Sequence, residues 1–129
     1  MRLWHDKLIP NLPNLQLLSQ WRELNSIYVK QNAHILINYC YDYPLDHLFS
    51  YSKLVIEEMG KRGFNIRSFV NHDNFFQNKV YGIIDHLFPE HHNQEYLEIC
   101  CYNLYEKLIR GQNFKGANID YIKRIINKD

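Results

Sequence analysis

The chain has 129 residues, of which 46% are apolar and 22% are charged, and its formal net charge is +1. This length and composition fit one compact domain over residues 1–129 and exclude a multidomain assembly, while the small net charge argues against a protein that coats nucleic acid by charge alone. No apolar run approaches the ~20 residues of a membrane span, and the first twenty residues lack a signal-peptide core, so we expect a soluble cytoplasmic protein that does not bind a membrane.

Apolar residues recur mostly at helical spacing, and glycine and proline are scarce, so the sequence predicts an all-α fold with three main helices and shorter ones. The first predicted helix begins near Asn14, after Pro10 and Pro13. The second begins after Pro44 and ends at the basic turn Lys61–Arg62 with Gly63 as its C-cap. Their apolar stripes are Leu17, Leu18, Trp21, Leu24 and Tyr28 for the first, and Leu45, Leu48, Phe49, Val55, Ile56 and Met59 for the second.

Three further helices are predicted in the second half of the chain. One runs from Phe75 through Val80, Ile83, Ile84 and Leu87 and ends at Pro89. Another is capped by Asn93 and continues to Gly111, and a short one passes through Ile119, Ile122 and Ile126. Residues 33–43 have the composition of a strand, but one strand has no partner, so we assign them as an extended or helical linker.

Charge is distributed unevenly in this second half. Residues 85–106 contain five acidic residues and no lysine or arginine, whereas residues 107–129 contain six basic residues and two acidic ones. These runs indicate either solvated helix faces or a basic C-terminal stretch that faces phosphates.

Cysteine and histidine offer candidate metal ligands. The three cysteines form neither an even disulfide framework nor a Cys-x-x-Cys pair, so we expect them to be buried as small apolar residues. His86, His91 and His92 lie near Asp85 and Glu90, but Pro89 interrupts the helix that would bring His86 and Glu90 to one face. We therefore interpret these histidines as an exposed loop between helices and expect no metal or other cofactor.

Two short sequence motifs give more specific information about the protein family. Residues 20–24 read Gln-Trp-Arg-Glu-Leu, and residues 61–66 read Lys-Arg-Gly-Phe-Asn-Ile after the second predicted helix. By periodicity alone, Glu23 lies off the Leu/Trp stripe and is a solvated carboxylate. At these positions, however, the two motifs resemble the pyrimidine-dimer DNA glycosylases of the phage endonuclease V type. The opening residues 1–5 resemble a mostly uncharacterised bacterial branch of that family, and the resemblance covers roughly residues 1–67.

This resemblance implies a small all-α DNA-repair enzyme that excises UV-induced pyrimidine dimers from double-stranded DNA. In the family, the N-terminal α-amine attacks the sugar C1′, a glutamate stabilises the cationic intermediate, and the resulting imine allows β-elimination at the abasic site. The resemblance assigns catalytic roles to Met1 and Glu23, and it implies DNA-binding roles for Arg2, Arg22, His34, Lys61 and Arg62.

Elementary chemistry is consistent with an amine nucleophile. An α-amine titrates near 7.7–8.0 against ~10.4 for lysine, so an appreciable fraction is neutral at pH 7. We expect the initiator methionine to be retained because Arg2 is bulky. Leu3 and Ser26 stand where the family carries arginines. The alternative hypothesis is therefore a non-catalytic module that retains the fold and binds nucleic acid or a protein.

Overall fold

A computed structural model describes residues 2–30 and 36–127. In this part of the chain the protein is all-α, as predicted, with no β-strand. The five α-helices are α1 (Asn14–Val29), α2 (Leu45–Lys61), α3 (Val70–Phe76), α4 (Gln94–Ile109) and α5 (Ile119–Ile125). Two short 3₁₀ helices, Asp6–Asn11 and Asn38–Asp42, precede α1 and α2.

The boundaries of α1, α2 and α4 confirm the sequence prediction. Pro13 and Pro44 occupy the positions directly before α1 and α2. After α2, Gly63 adopts a positive φ of 82°, the left-handed conformation that closes many helices. The side chain of Asn93 accepts a hydrogen bond from the Tyr96 N–H at 2.9 Å, so Asn93 caps α4 as predicted.

The third predicted helix, from Phe75 to Pro89, is wrong: the structure instead has α3 at Val70–Phe76, which overlaps the prediction only at Phe75 and Phe76. This helix ends at Phe76, because Gln77 and Asn78 both adopt positive φ values, 55° and 56°. Val80 and Ile83 are therefore not part of a buried helical stripe, and they are 92% and 68% exposed. An irregular segment replaces the helix. Its backbone is held to α2, where the Ser50 Oγ accepts the N–H of Ile84 at 2.9 Å.

The linker prediction for residues 33–43 is resolved in part. Residues 33–35 lie outside the described residues, and Asn38–Asp42 form a 3₁₀ helix, which agrees with a helical linker. The cysteine prediction is confirmed, since Cys40, Cys100 and Cys101 are all free and buried. Within the described ranges, no helix is both long and apolar enough to cross a membrane.

The N-terminal segment of residues 2–6 lies inside the protein rather than on its surface. Leu3 is fully buried, and Trp4 and His5 are 7% and 4% exposed. The hydroxyl of Tyr51 on α2 lies 2.6 Å from the carbonyl oxygen of Trp4. From the other side, the hydroxyl of Tyr96 on α4 donates to the carbonyl oxygen of Leu3 at 2.6 Å. The start of the chain is thus fixed between helices.

Candidate active site

Gln20 joins the N-terminal segment to α1. Its side chain is fully buried. The Oε1 atom accepts the N–H of Trp4 at 2.8 Å. The Nε2 atom donates to the carbonyl oxygen of Arg2 and to the Oε2 of Glu23, both at 3.2 Å. Because one amide bonds both groups, the backbone of Arg2 lies next to the carboxylate of Glu23.

Glu23 is half-buried one turn after Gln20. Burial raises the pKa of its carboxyl above the ordinary value, because the charged form loses solvation. The backbone N–H of Arg2 and the side chain of Gln20 oppose this shift by bonding the charged form, yet the net shift is upward. Glu23 is therefore not the freely solvated carboxylate that its periodicity alone indicated.

Glu23 lies in a pocket of about 310 Å³, which we call the Glu23 pocket. Its lining residues are Arg2, Trp4, Gln16, Ser19, Glu23, Asn103 and Lys107. The Arg2 guanidinium lies 5.5 Å from the centroid of the Trp4 ring, a cation–π arrangement. The pocket thus combines one carboxylate, two cationic side chains and several neutral hydrogen-bonding groups.

The side chains that α4 contributes were missed by the sequence motifs. Asn103 and Lys107 are four residues apart, so they lie on one face of α4. Lys107 begins the basic run, which the charge pattern left open between a solvated face and a phosphate-facing stretch. No sequence motif indicates that this face lines a pocket together with α1, because the two helices are far apart in the sequence.

Arg22 lies on the neighbouring face of α1. Its side chain is exposed, and its Nη2 donates to the Oγ of Ser19 at 3.1 Å. Arg22 lines a second pocket, of about 440 Å³, which we call the Trp21 pocket. The lining residues of the Trp21 pocket are Leu18, Trp21, Arg22, Asn25, Met59, Asn65, Ile66, Arg67, Ser68 and Asn71. Arg22 and Glu23 therefore serve adjacent pockets, connected through Ser19.

Arg62 and Lys61 lie at the end of α2, and neither is among the described residues that line the Glu23 pocket. The Arg62 guanidinium bonds Glu58 at 2.8 Å and the carbonyl oxygen of Leu12 at 2.6 Å. It also bonds the Asn14 side chain at 3.0 Å and the Pro10 carbonyl at 3.2 Å. Lys61 is exposed. Arg62 thus clamps α2 to the chain that enters α1, and DNA contacts by Arg62 and Lys61 stay a prediction.

Two of the predicted site residues, Met1 and His34, lie outside the described residues. The histidine-rich segment is described, and the expectation of an exposed loop is only partly right there. His86 and His91 are exposed, whereas His92 is buried. Its Nδ1 lies 3.0 Å from the Oδ1 of Asp6, and its Nε2 lies 2.6 Å from the hydroxyl of Tyr39. Within residues 2–30 and 36–127, no group of three or more His, Cys, Asp or Glu side chains is placed to hold a metal ion.

Comparison with known proteins gives one match. The model of a family described as pyrimidine dimer DNA glycosylase matches residues 1–72, more than half of the chain. This range includes Arg2, Gln20 and Glu23, but Asn103 and Lys107 lie beyond it. Searches of curated proteins and of solved structures found no match.

Proposed function

We propose that this chain, which belongs to the pyrimidine dimer DNA glycosylase family, cuts damaged double-stranded DNA by combined glycosylase and abasic-site lyase chemistry. The reaction would use the Met1 α-amine as nucleophile and Glu23 as the stabilising carboxylate. The observation that carries the proposal is the placement of the Arg2 backbone beside Glu23, in a pocket that also contains two cations.

Covalent geometry brings the amine within reach of this pocket. The α-amine of residue 1 is separated from the Arg2 nitrogen by only one Cα and one carbonyl carbon, a span of at most about 4 Å. The Arg2 N–H acts directly on the Glu23 carboxylate. This short covalent link is the reason why we propose the amine of residue 1 as the partner of Glu23, and an amine of this kind is partly neutral at pH 7.

The reaction proceeds by exchange of bonds at C1′. The amine nitrogen forms a bond to C1′ while the glycosidic bond breaks, and the base leaves with the electron pair of that bond. Opening of the sugar ring gives a protonated imine between the amine and C1′. Water accepts a proton from C2′, and the electron pair left behind expels the 3′ oxygen with its phosphate, which cuts the strand. Hydrolysis of the imine by water then releases the sugar and the free amine. On an abasic site, the amine condenses with the C1′ aldehyde and releases water.

Glu23 fits the role of cation stabiliser. Positive charge develops on the sugar and then on the imine, and a fixed carboxylate in a partly dry pocket favours such charge more strongly than one in water. The raised pKa of Glu23 indicates that burial leaves its negative charge poorly solvated, although the nearby Arg2 cation partly offsets this effect. We expect a cationic intermediate to stabilise this charge further.

Arg2 and Lys107 fit the role of phosphate contacts. They are the two cationic side chains of the Glu23 pocket, and phosphate contacts by lysine and arginine dominate affinity for DNA. Leu3 is apolar and fully buried, so position 3 supplies no phosphate contact. We expect the cations at residue 2 and on α4 to serve in its place.

The substitution Glu23→Gln tests the proposal. On duplexes that carry a pyrimidine dimer or an abasic site, we expect single-turnover cleavage to fall by about 10²–10³-fold, the usual cost of removing one electrostatic stabiliser. Glu57→Gln, on the exposed face of α2, is the matched control and should cleave like the wild type. Equal cleavage by the wild type and Glu23→Gln would refute the role of Glu23.

The alternative function, a non-catalytic binding module, is recognised by measuring DNA binding alongside cleavage by the wild type. If the wild type binds damaged duplex but cuts neither substrate, the fold serves as a non-catalytic DNA-binding module. If it does not bind DNA at all, a protein partner is favoured. DNA binding is recognised by its steep loss of affinity as salt increases, because each neutralised phosphate releases counterions.

A further inference from the structure

One face of α4 and the turn before it follows the N-terminal segment along its length. Tyr96 and Cys100 are four residues apart and lie on one face of α4, and His92, in the turn before α4, stacks on the Tyr96 ring and extends this row. The row runs antiparallel to the N-terminal segment. Its contacts are Cys100 Sγ with Arg2 Nη1 at 4.0 Å, the Tyr96 hydroxyl with the Leu3 carbonyl at 2.6 Å, the His92 carbonyl with His5 Nε2 at 3.0 Å, and His92 Nδ1 with Asp6 Oδ1 at 3.0 Å.

The contact made by Tyr96 is the most direct of these. Its hydroxyl bonds the backbone of residue 3, only two residues from the proposed nucleophile. The Tyr96 ring stacks on His92, with ring centroids 5.1 Å apart and planes inclined by 25°. Since His92 is itself bonded to Asp6 and Tyr39, the Tyr96 ring has a fixed support.

The opposite side of the N-terminal segment is held by Gln20 and Tyr51, which both lie in the family-matched residues 1–72. The row on α4 lies outside that range. Hydrogen bonds therefore hold the N-terminal segment from two sides. Those on the second side come from residues beyond the range that the family model matches.

We infer that Tyr96, supported by His92, is a positioning residue that aligns the N-terminal amine with Glu23. The inference rests on the proposed function for its catalytic meaning, although the alignment itself is a property of the free protein. Tyr96 need not touch DNA to act. It fixes residue 3, and a misplacement of a reacting group by about 1 Å can cost about 10²-fold in rate.

The α-amine pKa gives a readout of this alignment that does not require DNA. A carboxylate within about 4–6 Å raises the pKa of an amine by favouring its charged form. The charged side chains that line the same pocket are Arg2, Glu23 and Lys107. The amine can be dimethylated with ¹³C-formaldehyde and titrated by NMR in the wild type, Glu23→Gln, Tyr96→Phe and Tyr102→Phe. Tyr102 is the matched control, because it is an exposed tyrosine on the same helix.

We expect the pKa of the amine to be lower in Glu23→Gln than in the wild type, lower in Tyr96→Phe as well, and unchanged in Tyr102→Phe. With unmodified protein, Tyr96→Phe should form the borohydride-trapped adduct about 10-fold more slowly, while its Kd for a duplex with a tetrahydrofuran abasic analogue stays within about 2-fold of the wild type. A purely structural role for Tyr96 would not separate rate from binding in this way. All measurements are made well below the Tm of each variant.

A Tyr96→Phe protein that keeps both the wild-type amine pKa and the wild-type trapping rate would overturn the inference. If Tyr96→Phe does not fold, Tyr39→Phe removes a hydrogen bond to His92 without changing the net charge and should lower the amine pKa in the same direction, and an unchanged value would overturn the inference equally. If the wild type forms no adduct at all, the proposed function fails, yet the amine titration still decides whether Tyr96 positions the N-terminus.

Discussion

Glu23 and Glu58 are both carboxylates removed in part from solvent on long helices, but their surroundings differ. Glu58 is paired with the Arg62 guanidinium at 2.8 Å, and both side chains are largely buried, at 13% and 12% exposure. Glu23 instead faces the amide of Gln20 and the backbone of Arg2, and its pKa is raised by burial. Glu58 thus forms a close ion pair, whereas the Glu23 carboxylate bonds neutral groups in a pocket that also contains the cations Arg2 and Lys107.

The difference separates a structural ion pair from a candidate catalytic group. Arg62 is held by Glu58, two backbone carbonyls and Asn14, so its charge serves the fold. A carboxylate with a raised pKa in a pocket is typical of functional sites, where the fold accepts a poorly solvated charge. The two motifs that resemble the family thus differ physically: Arg62 of residues 61–66 holds the fold together, whereas Glu23 of residues 20–24 is the candidate catalytic group.

The largest expected effect on stability comes from breaking the paired carboxylate. Arg62→Ala leaves Glu58 and two carbonyl groups without their donor, and we expect a loss of about 3 kcal/mol in the free energy of unfolding. Urea denaturation measures this loss. Lys61→Ala is the neighbouring control and should change stability by less than about 0.5 kcal/mol, since Lys61 is exposed. Similar losses in both variants would contradict the clamp.

A smaller effect is expected when a cation of the Glu23 pocket is removed. Lys107→Gln should weaken binding to damaged duplex by roughly 10-fold and reduce the slope of log K against log salt by about 1, as expected for one lost phosphate contact. Fluorescence anisotropy over a range of salt concentrations gives both numbers. Lys53→Gln, in a different pocket, is the control. An unchanged salt slope in Lys107→Gln would place Lys107 away from the phosphates.

The smallest expected effect is a pH-dependent change in thermal stability when Glu23 loses its charge. The pKa of Glu23 is raised above its ordinary value of 4.5, so between these two pKa values the folded state binds more protons than the unfolded state. At higher pH, the charged carboxylate therefore lowers the stability of the folded state. Glu23→Gln should therefore have a higher Tm than the wild type at pH 7 and lose this advantage below pH 4.5. Thermal unfolding at the two pH values tests this, and a lower Tm of Glu23→Gln at pH 7 would contradict it.

Local sequence signals were enough for the helices that carry the site. Prolines, an asparagine cap and a glycine terminator are short-range features, and they placed α1, α2 and α4 correctly. The same reasoning failed after Phe76. Apolar spacing suggested continuation, but Gln77 and Asn78 take the left-handed conformation, and no local rule for these residue types requires it.

The site was predictable only in part for the same reason. Glu23 was found through its sequence motif and not through its periodicity, which indicated a solvated residue. The motifs did not indicate Gln20 or Lys107, because Gln20 bonds residues 16 or more positions away in the N-terminal segment and Lys107 joins the pocket only through the placement of α4. Arg62 shows the converse, since its sequence motif suggested DNA while its hydrogen bonds lie within the fold.

Borohydride trapping on a duplex with an abasic site, followed by mass mapping of the adduct, tests the central claim most directly. Two amines are candidates for the adduct, the proposed Met1 α-amine and the side chain of Lys107, which lines the Glu23 pocket, and both would give a covalent adduct of the same chemistry. We expect an adduct on the Met1 peptide, at a rate that falls in Glu23→Gln. An adduct on Lys107, or no adduct from a protein whose N-terminus is intact, would contradict this claim.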